Sequence, residues 1–380
     1  MVKRGAAVLG AALLISARGA PPPLPPHRAE DARPGPRLAT ARLADVRSLR
    51  PQALSVALEV AGTPQASVEV LKSIAALPPH IAGRFDELSA CQRSVDGDYL
   101  VFDRRSHMVF KVASSFEGQP KEVVGVGVEP GRILNPSSFD VGPDRTFVIA
   151  DAPYGTPRVQ VFFETGARIG GFTLPRTRSP FVTLEQIVVN GVGAVEFTGQ
   201  SVLVSQPDSG SLITEYTLDG KLIRAFGHLR RTGQESDPDV HLALNVGRIV
   251  ANPQGGYYYV FIAGDPVFQK YNESGKLVFE RHIEGQELDE FIRTAPTTWR
   301  RRAASNEIPL VRAAVRTAAA DAAGNLWVSL SVPYTYVYDS TGQKRRTVQL
   351  VGAGPILPIA LTFDRTGHLL VTPGCYVFKP

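Results

Sequence analysis

The stretch from Gly127 to Leu174 decides the fold, and it reads GVEPGRILNPSSFDVGPDRTFVIADAPYGTPRVQVFFETGARIGGFTL. It holds four short runs rich in β-branched and aromatic residues: SSFDV, TFVIAD, RVQVFF and RIGGFTL. Turn residues separate these runs at Pro143-Asp144, at 152–155 and at Thr165-Gly166, which predicts four antiparallel strands joined by hairpins. One such sheet cannot bury both of its faces by itself, so we expect it to stack against copies of itself.

Similar units recur along the chain from residue 90 onward. The first hairpins of successive units are separated by 47, 55, 56, 69 and 43 residues. A spacing of about 40–50 residues with four strands per unit is typical of a β-propeller. The pattern therefore predicts an all-β fold, a six-bladed β-propeller of four-stranded antiparallel blades. The six hairpins lie near Gly97, Asp144, Gly199, Gly255, Gly324 and Gly367.

The sixth unit supplies only three strands of its own. The segment Val68–Ile74 has strand character, precedes the first unit and has no partner there. We expect it to lie beside Tyr376–Lys379 as the missing outer strand of the last blade. The ring would then close without leaving an open sheet edge.

The second unit has a distinct set of residues: Gly127, Pro130-Gly131, Pro136, Asp144, Ile149-Ala150-Asp151 and the run from Arg158 to Phe162. With these residues, 127–163 resembles an NHL repeat, and the other units resemble degenerate versions of it. This resemblance implies a six-bladed propeller similar to exported bacterial propeller proteins of unknown function. Some relatives are enzymes: amidating lyases with a zinc ion held by histidines, and lactonases with a divalent ion held by Glu, Asn and Asp.

The N-terminus has the layout of a secretory signal peptide. Lys3 and Arg4 precede the apolar run Ala6–Ile15, and small residues follow it. We predict a signal segment at 1–20, cleaved after Gly19, with an uncleaved anchor as the alternative. A Pro- and Arg-rich disordered linker is predicted at 21–62 and the propeller at 63–380. The protein is thus expected to be exported, periplasmic or extracellular, and monomeric, with the N-terminus as its membrane tether if uncleaved.

The net charge of +5 is mild, and much of it comes from arginines in the N-terminal tail. No basic stripe with interleaved aromatic residues occurs in the sequence, so we expect no nucleic-acid partner.

The two cysteines, Cys91 and Cys375, belong to the units that meet where the ring closes. In an oxidising compartment a bridge between them would close nearly the whole domain. Free, buried thiols are equally consistent with the sequence. Because an inner strand and a third strand of neighbouring blades stand far apart, the free thiols are slightly favoured.

An insertion near 286–309 separates the fourth and fifth units. Leu288, Phe291 and Ile292 have helical spacing, and Trp299 follows beside Arg300–Arg302. A lid or a partner-docking element is one interpretation, and a packed surface loop is the other. An exposed Trp next to three Arg suits an anionic or glycan ligand.

In a propeller, the loops entering the inner strands and the second hairpins open on one face, around the central channel. Converging carboxylates there can bind Ca²⁺, whereas Asp at a turn more often caps its own backbone. Arg300 and Trp299 of the insertion are expected to cover part of this face. The candidate ligand-binding residues are Asp103, Arg104, Asn135, Asp151, Tyr154, Glu185, His241, Asp265, Trp299, Arg300, Arg312 and Tyr334.

No G-x-S-x-G elbow occurs, and no G-x-G-x-x-G opens a helix after a strand. Too few of the seven histidines are placed at the channel mouth for a His-rich zinc centre. We therefore expect a non-enzymatic binding or scaffold module for a protein, peptide or glycan, without a cofactor. The alternative is a divalent-metal-dependent lactonase or lyase, with Ca²⁺ at Glu185 or Glu87, Asn135 and Asp265.

Overall fold

The computed structural model describes residues 67–175, 192–295 and 311–380, together with the backbone of 182–184 and 187–189. In these residues the chain forms seven β-sheets, and the inner strands of six of them are neighbours in a closed ring. The seventh is a small three-stranded sheet outside the ring of blades. The predicted six-bladed propeller is therefore confirmed. The predicted signal segment, the linker and residues 296–310 of the insertion lie outside the described residues.

The first two blades each have four antiparallel strands, paired in chain order from the channel outward. A first strand, β1 (Val68–Lys72), and a short helix, α1 (Pro79–Ala82), precede them. Blade 1 comprises β2 (Leu88–Arg93), β3 (Tyr99–Asp103), β4 (Met108–Val112) and β5 (Lys121–Val124). Blade 2 comprises β6 (Ser138–Val141), β7 (Thr146–Asp151), β8 (Arg158–Phe163) and β9 (Arg168–Thr173).

Blades 3 and 4 repeat this arrangement after two short strands, β10 (Val182–Leu184) and β11 (Ile187–Val189). Blade 3 comprises β12 (Ala194–Phe197), β13 (Ser201–Ser205), β14 (Ser211–Thr217) and β15 (Leu222–His228). The helix α2 (Pro238–Leu244) follows, and the Asp237 carboxylate caps its first turn. Blade 4 comprises β16 (Gly247–Ala251), β17 (Tyr257–Phe261), β18 (Val267–Tyr271) and β19 (Leu277–His282).

The predicted helix of the insertion is α3 (Gln286–Thr294), and β20 (Val311–Arg312) pairs in parallel with β10. Blade 5 comprises β21 (Val315–Ala320), β22 (Leu326–Leu330), β23 (Thr335–Tyr338) and β24 (Lys344–Val351). Blade 6 has three strands, as predicted: β25 (Ala360–Phe363), β26 (Leu369–Thr372) and β27 (Tyr376–Phe378).

The second strand of each blade reads as a continuous apolar run because it is buried on both faces. In β3, Leu100 and Phe102 join a hydrophobic cluster shared with blade 2. Tyr99 and Val101, one residue out of phase, join a cluster shared with blade 6. Among the described residues, six such clusters each link two neighbouring blades. Side-chain alternation along a strand thus divides one blade between two interfaces.

A tight first hairpin lets the second strand of each blade run antiparallel to the inner strand. In blade 2 a non-glycine residue, Arg145, adopts the left-handed backbone at φ 54°. Elsewhere the sequence supplies glycine, which takes positive φ without steric conflict. These glycines are Gly97, Gly199, Gly255, Gly324 and Gly367.

The N-terminal segment closes the ring, as predicted, but it spans two blades. Its strand β1 pairs in parallel with β24 from Val68↔Thr347 to Lys72↔Val351, so it is the fifth strand of blade 5. Only the residues after β1 reach the expected position in blade 6. There Ile74 N–H donates to the Val377 carbonyl at 2.8 Å, and Val377 N–H donates to the Ala75 carbonyl at 2.8 Å. The segment therefore satisfies backbone groups on the exposed edges of both blades.

The expectation of free thiols is wrong, because Cys91 and Cys375 form a disulfide with Cα atoms 5.6 Å apart. Cys375 precedes the third strand of blade 6 and lies in the turn after β26. This turn brings it to the inner strand of blade 1, where both cysteines are buried in the cluster that contains Tyr99. The Cα separation falls within the usual range for disulfides.

Among the described residues, no helix combines the length and apolar character needed to cross a membrane.

We expect the disulfide to stabilise the ring. Replacing both cysteines, Cys91→Ala with Cys375→Ala, should lower the free energy of unfolding by about 3–5 kcal/mol, because the bridge joins residues 284 positions apart and so restricts the unfolded chain. Urea unfolding, followed by the fluorescence of the buried Trp327 in blade 5, measures this difference.

Reduction supplies the control for that experiment. A reducing agent should lower the stability of the wild type and leave the double variant unchanged. Equal unfolding free energies for the oxidised wild type and the double variant would show that the bridge does not restrain the ring.

Candidate functional site

The predicted residue Asp103 links two loops of blade 1 through hydrogen bonds. It is 1% exposed at the end of β3, and its carboxylate accepts hydrogen bonds from the backbone N–H groups of Asp86 at 2.7 Å and Glu87 at 3.1 Å. It also accepts the N–H groups of Arg105 and Ser106 in its own hairpin. This carboxylate therefore joins the loop entering the inner strand to the second hairpin of blade 1.

Asp151 occupies the same position at the end of β7. It accepts a hydrogen bond from Leu134 N–H at 3.0 Å and forms a two-point ion pair with Arg158, whose Nε and Nη2 donate at 2.8 and 2.9 Å. Paired donors and acceptors of this kind satisfy a buried carboxylate. Asp151 is thus engaged by its own blade.

Three further candidates lie in loops of the same face. Asn135 is exposed in the loop before β6, with φ 52°. Tyr154 is 81% exposed in a single 3₁₀ turn, Pro153–Gly155. Tyr334 is half-buried and packs against the cluster between blades 4 and 5. No described contact joins these three residues to one another.

Glu185, Trp299 and Arg300 lie outside the residues whose side chains are described. They stay predictions, and so does the calcium set built on Glu185 or Glu87 with Asn135 and Asp265. In the described part of the chain, no group of three or more His, Cys, Asp or Glu side chains is arranged to hold a metal ion.

Two predicted residues, Asp265 and Arg312, line a pocket of about 460 Å³, which we call the rim pocket. Asp265 comes from the second hairpin of blade 4, and Arg312 comes from β20, just before blade 5. The remaining walls come from α2, α3 and the loop after β15. The pocket is lined by Arg230, Arg231, Thr232, Gln234, Leu244, Ala263, Gly264, Asp265, Pro266, Phe291, Ile292, Ala295, Arg312 and Ala314.

The cations of the rim pocket differ in how they are neutralised. Arg230 is held by Asp265, which accepts from its Nη2 at 3.2 Å, and it stacks on the Phe261 ring at 5.0 Å. Arg312 lies over the Phe291 ring at 4.0 Å. Among the described residues, neither Arg312 nor the exposed Arg231 has a carboxylate within 4 Å. As far as the described residues extend, their guanidinium groups are available to an anion.

The predicted residue His241 does not line this pocket but forms a hydrogen bond with a residue that does. It lies on α2, and its Nδ1 forms a 2.8 Å hydrogen bond with the hydroxyl of Thr232, a pocket residue. A seventh hydrophobic cluster joins α2 to β20 and includes Leu244 and Val311. His241 thus positions the loop that carries Arg230 and Arg231.

A second polar group, absent from the candidates except for Arg104, lies inside the channel. It consists of Gln92, Arg104, Asp140, Glu196 and Arg248, which we call the channel cluster. These side chains come from blades 1 to 4 and share a cavity of about 110 Å³. Four of the five lie on inner strands, where the repeat pattern predicts the closest approach between blades.

Inner-strand side chains of the channel cluster link successive blades by a ladder of hydrogen bonds. Val141 N–H donates to Gln92 Oε1 at 3.0 Å, and Phe197 N–H donates to Asp140 Oδ2 at 2.7 Å. Ala251 N–H donates to Glu196 Oε1 at 3.1 Å. Blades 1, 2 and 3 therefore each supply a side-chain acceptor for a backbone donor in the next blade.

Burial shifts the pKa values of the charged groups in the channel cluster. It raises the pKa of the Asp140 carboxyl to about 6, against the opposing effect of the Phe197 N–H. Burial and the nearby Asp140 raise the pKa of Glu196 well above its ordinary value. Burial and the nearby Arg104 lower the pKa of the Arg248 guanidinium. At neutral pH we therefore expect the two carboxyls to share one proton beside a positively charged Arg248.

Sequence reasoning missed the channel cluster because it searched loops for function. The signal that could have found it is a charged residue inside a short apolar strand. Asp140 in SFDV and Glu196 in AVEF are each the third residue of an inner strand. Aligning the units strand by strand would have placed both carboxyls at one level of the channel.

The sequence matches no protein-family model and no curated protein. Solved structures similar to this chain include a streptogramin B lyase, 13% identical over 76% of either chain, with a TM-score of 0.48. Virginiamycin B lyase from Staphylococcus aureus is 13% identical over 74% of this chain and 76% of its own, with a TM-score of 0.46. A gluconolactonase from Xanthomonas campestris is 12% identical over 83% of this chain and 98% of its own, with a TM-score of 0.46. The activities in these names are those of the proteins named.

The raised carboxyl pKa values predict stability that falls as pH rises. A carboxyl whose folded pKa lies above its unfolded value leaves folding unpenalised below the unfolded pKa. Its destabilising effect grows as the pH rises from the unfolded pKa to the folded pKa and is complete above the folded pKa. Glu196→Gln keeps an acceptor for Ala251 N–H and removes this ionisation. The variant should be more stable than the wild type at pH 8 by at least about 1 kcal/mol, since one pKa unit is worth about 1.4 kcal/mol. At pH 4 the two should match.

Urea unfolding at pH 4 and pH 8 measures this effect. The exposed Glu117 provides a matched control, because Glu117→Gln removes a solvated carboxylate and should change nothing at either pH. If the difference between Glu196→Gln and the wild type is the same at both pH values, the Glu196 carboxyl is not perturbed as described.

Proposed function

We propose that the protein is an exported binding module that holds the C-terminal end of a peptide in the rim pocket. The observation that supports this most directly is the pair of available guanidinium groups, Arg231 and Arg312, at the border of an apolar pocket. Of the three ligand classes expected from the sequence, a peptide with a free carboxylate suits this combination best.

The charge of the pocket favours an anion. Three arginines and one aspartate line it, which leaves a net charge of +2. Arg230 and Asp265 neutralise each other, so the surplus resides on Arg231 and Arg312. Guanidinium groups form paired hydrogen bonds with planar carboxylates, and such charge-assisted bonds are stronger than neutral ones.

The apolar part of the pocket favours an attached hydrophobic side chain. Leu244, Ala263 and Ala314 are buried in its floor, and Phe291 is 7% exposed beneath Arg312. Ile292 at the border is 41% exposed and adds apolar area that a ligand can cover. The volume of about 460 Å³ falls within the range of ligand pockets.

Two observations support export. The Cys91–Cys375 disulfide is of a kind that persists in oxidising compartments and is rare in the cytosol. The first twenty residues have the cationic and apolar layout of a signal peptide. Together they favour a periplasmic or extracellular site of action.

The proposal predicts binding that depends on the ligand carboxylate. A fluorescent peptide ending in leucine with a free carboxylate should bind the wild type, and the same peptide with an amidated end should bind at least about tenfold more weakly, because it loses charge-assisted hydrogen bonds. Arg312→Gln should weaken binding of the free peptide by a similar factor. Fluorescence anisotropy measures both effects.

Arg281 offers a matched control for that experiment. Like Arg312 it is exposed and stacked on a phenylalanine, with its Cζ 4.9 Å from the Phe279 ring centre, but it lies outside the rim pocket. Arg281→Gln should leave affinity unchanged. Equal affinity for the free and amidated peptides, or no binding of either, would refute the proposed ligand.

A further inference from the structure

The channel cluster holds charged groups that the rim pocket does not use. Asp140, Glu196 and Arg248 line one cavity of about 110 Å³ in the channel. Asp140 and Glu196 also line a second cavity of about 390 Å³, which opens toward the first hairpins beside Pro143 and Arg365. A polar site with an entrance therefore exists on the side of the propeller defined by the first hairpins.

The guanidinium of Arg248 is the least satisfied group in this site. Its Nε is buried and has no hydrogen-bond partner in the described part of the chain. The neighbouring Arg104 is paired with Glu87, whereas no carboxylate among the described residues lies within 4 Å of Arg248. A buried donor without a partner is costly, so a ligand that accepts from Arg248 would be favoured.

Arg248 needs a hydrogen-bond acceptor, whereas the two carboxyls need a nearby positive charge. Asp140 accepts hydrogen bonds from Phe197 N–H and from Gln92 Nε2, and Glu196 accepts from Ala251 N–H. When both are ionised beside Arg248, the three groups carry a net charge of −1. A proton or the ammonium group of a ligand placed next to the two carboxyls would offset part of their negative charge.

We propose that the channel cluster binds a small zwitterion, an α-amino acid, with its carboxylate at Arg248 and its ammonium group at Asp140 and Glu196. One molecule of this class meets both requirements at once and adds no net charge to the channel. This site shares no lining residue with the rim pocket, and its wider cavity opens on the opposite face.

The wider cavity indicates what kind of side chain the amino acid carries. Phe197, Leu361 and Phe363 line it next to the carboxyls, together with Val250 and Ala318. These walls suit an aliphatic or aromatic side chain, because burying apolar surface there stabilises the complex. Apolar amino acids should therefore bind more tightly than charged ones.

The buried position of the two carboxyls also favours a ligand at this site. Ionised carboxyls in a poorly solvated channel destabilise the fold, and uncharged residues in their place would avoid that effect. Perturbed groups of this kind are characteristic of functional sites. A bound ammonium group would compensate for the destabilisation that the carboxyls cause.

Isothermal titration calorimetry with leucine and two derivatives tests the proposal on the unmodified protein. Leucine should bind, leucine methyl ester lacks the carboxylate charge, and N-acetyl-leucine lacks the ammonium charge. Both derivatives should lose at least about tenfold in affinity at the channel. Equal affinity of the ester and leucine, or no binding of any apolar amino acid, would overturn the assignment.

Variants separate this site from the rim pocket. Arg248→Gln and Glu196→Gln should each weaken leucine binding at least about tenfold, whereas Arg312→Gln should leave it unchanged. Conversely, N-acetyl-leucine resembles a peptide end, so its binding at the rim pocket should depend on Arg312 and not on Arg248. Leucine binding that is lost only with Arg312→Gln would assign the ligand to the rim pocket and refute the channel site.

The pH dependence gives a further readout that a purely structural role of these residues would not produce. Because the ammonium group replaces the shared proton, leucine affinity for the wild type should increase from pH 5 to pH 8. The groups that determine this pH dependence are the carboxyls of Asp140 and Glu196 and the neighbouring guanidinium groups of Arg248 and Arg104. An affinity independent of pH would contradict the exchange of an ammonium group for a proton.

Discussion

Closure of the ring is the constraint on which the rest of this structure depends. Each blade buries both faces of its second strand, so each needs a neighbour on either side. The chain does not run directly from the last strand of blade 6 into blade 1. A disulfide and backbone hydrogen bonds connect the blades here instead. The Cys91–Cys375 disulfide joins the two blades, while β1 and Ala75 connect blade 5 to blade 6. Without this junction, the apolar faces of blades 1 and 6 would be exposed to water.

The closed ring also creates the chemistry of the channel. Inner strands that converge on an axis bring the polar side chains of four blades into one cavity, where solvation is poor. Gln92, Asp140 and Glu196 meet this condition by accepting backbone N–H groups of the next blade. The same hydrogen bonds orient the carboxyls, so the ladder between blades also prepares the channel for a ligand. Stability and proposed binding are therefore coupled through the same side chains.

The rim pocket has a different physical origin. It arises from excursions of the chain between blades, namely α2, α3 and β20, and the cluster around Leu244 and Val311 holds these excursions together. Loops placed on a rigid scaffold can vary their side chains without disturbing the sheets. The arginines here can therefore specify an anionic ligand while the six blades below them remain unchanged.

The amino-acid sequence by itself determined the repeat, the number of blades and the positions of the first hairpins. These features depend on local alternation of apolar residues and on glycine turns, as in 127–174, and local patterns can be read without knowing distant neighbours. The sequence also identified Asp265 and Arg312 as residues of one face. It could not show that Asp103 and Asp151 are engaged by their own loops, since those partners depend on how each loop folds back.

Only the tertiary structure decided which side chains meet across the ring. The disulfide depends on a turn that brings Cys375 to β2, and the placement of β1 on blade 5 depends on where the edge of that blade is exposed. Asp140, Glu196 and Arg248 are separated by more than fifty residues at each step, so no local pattern joins them. Their proximity follows from closing six sheets around one axis, which is a property of the whole chain.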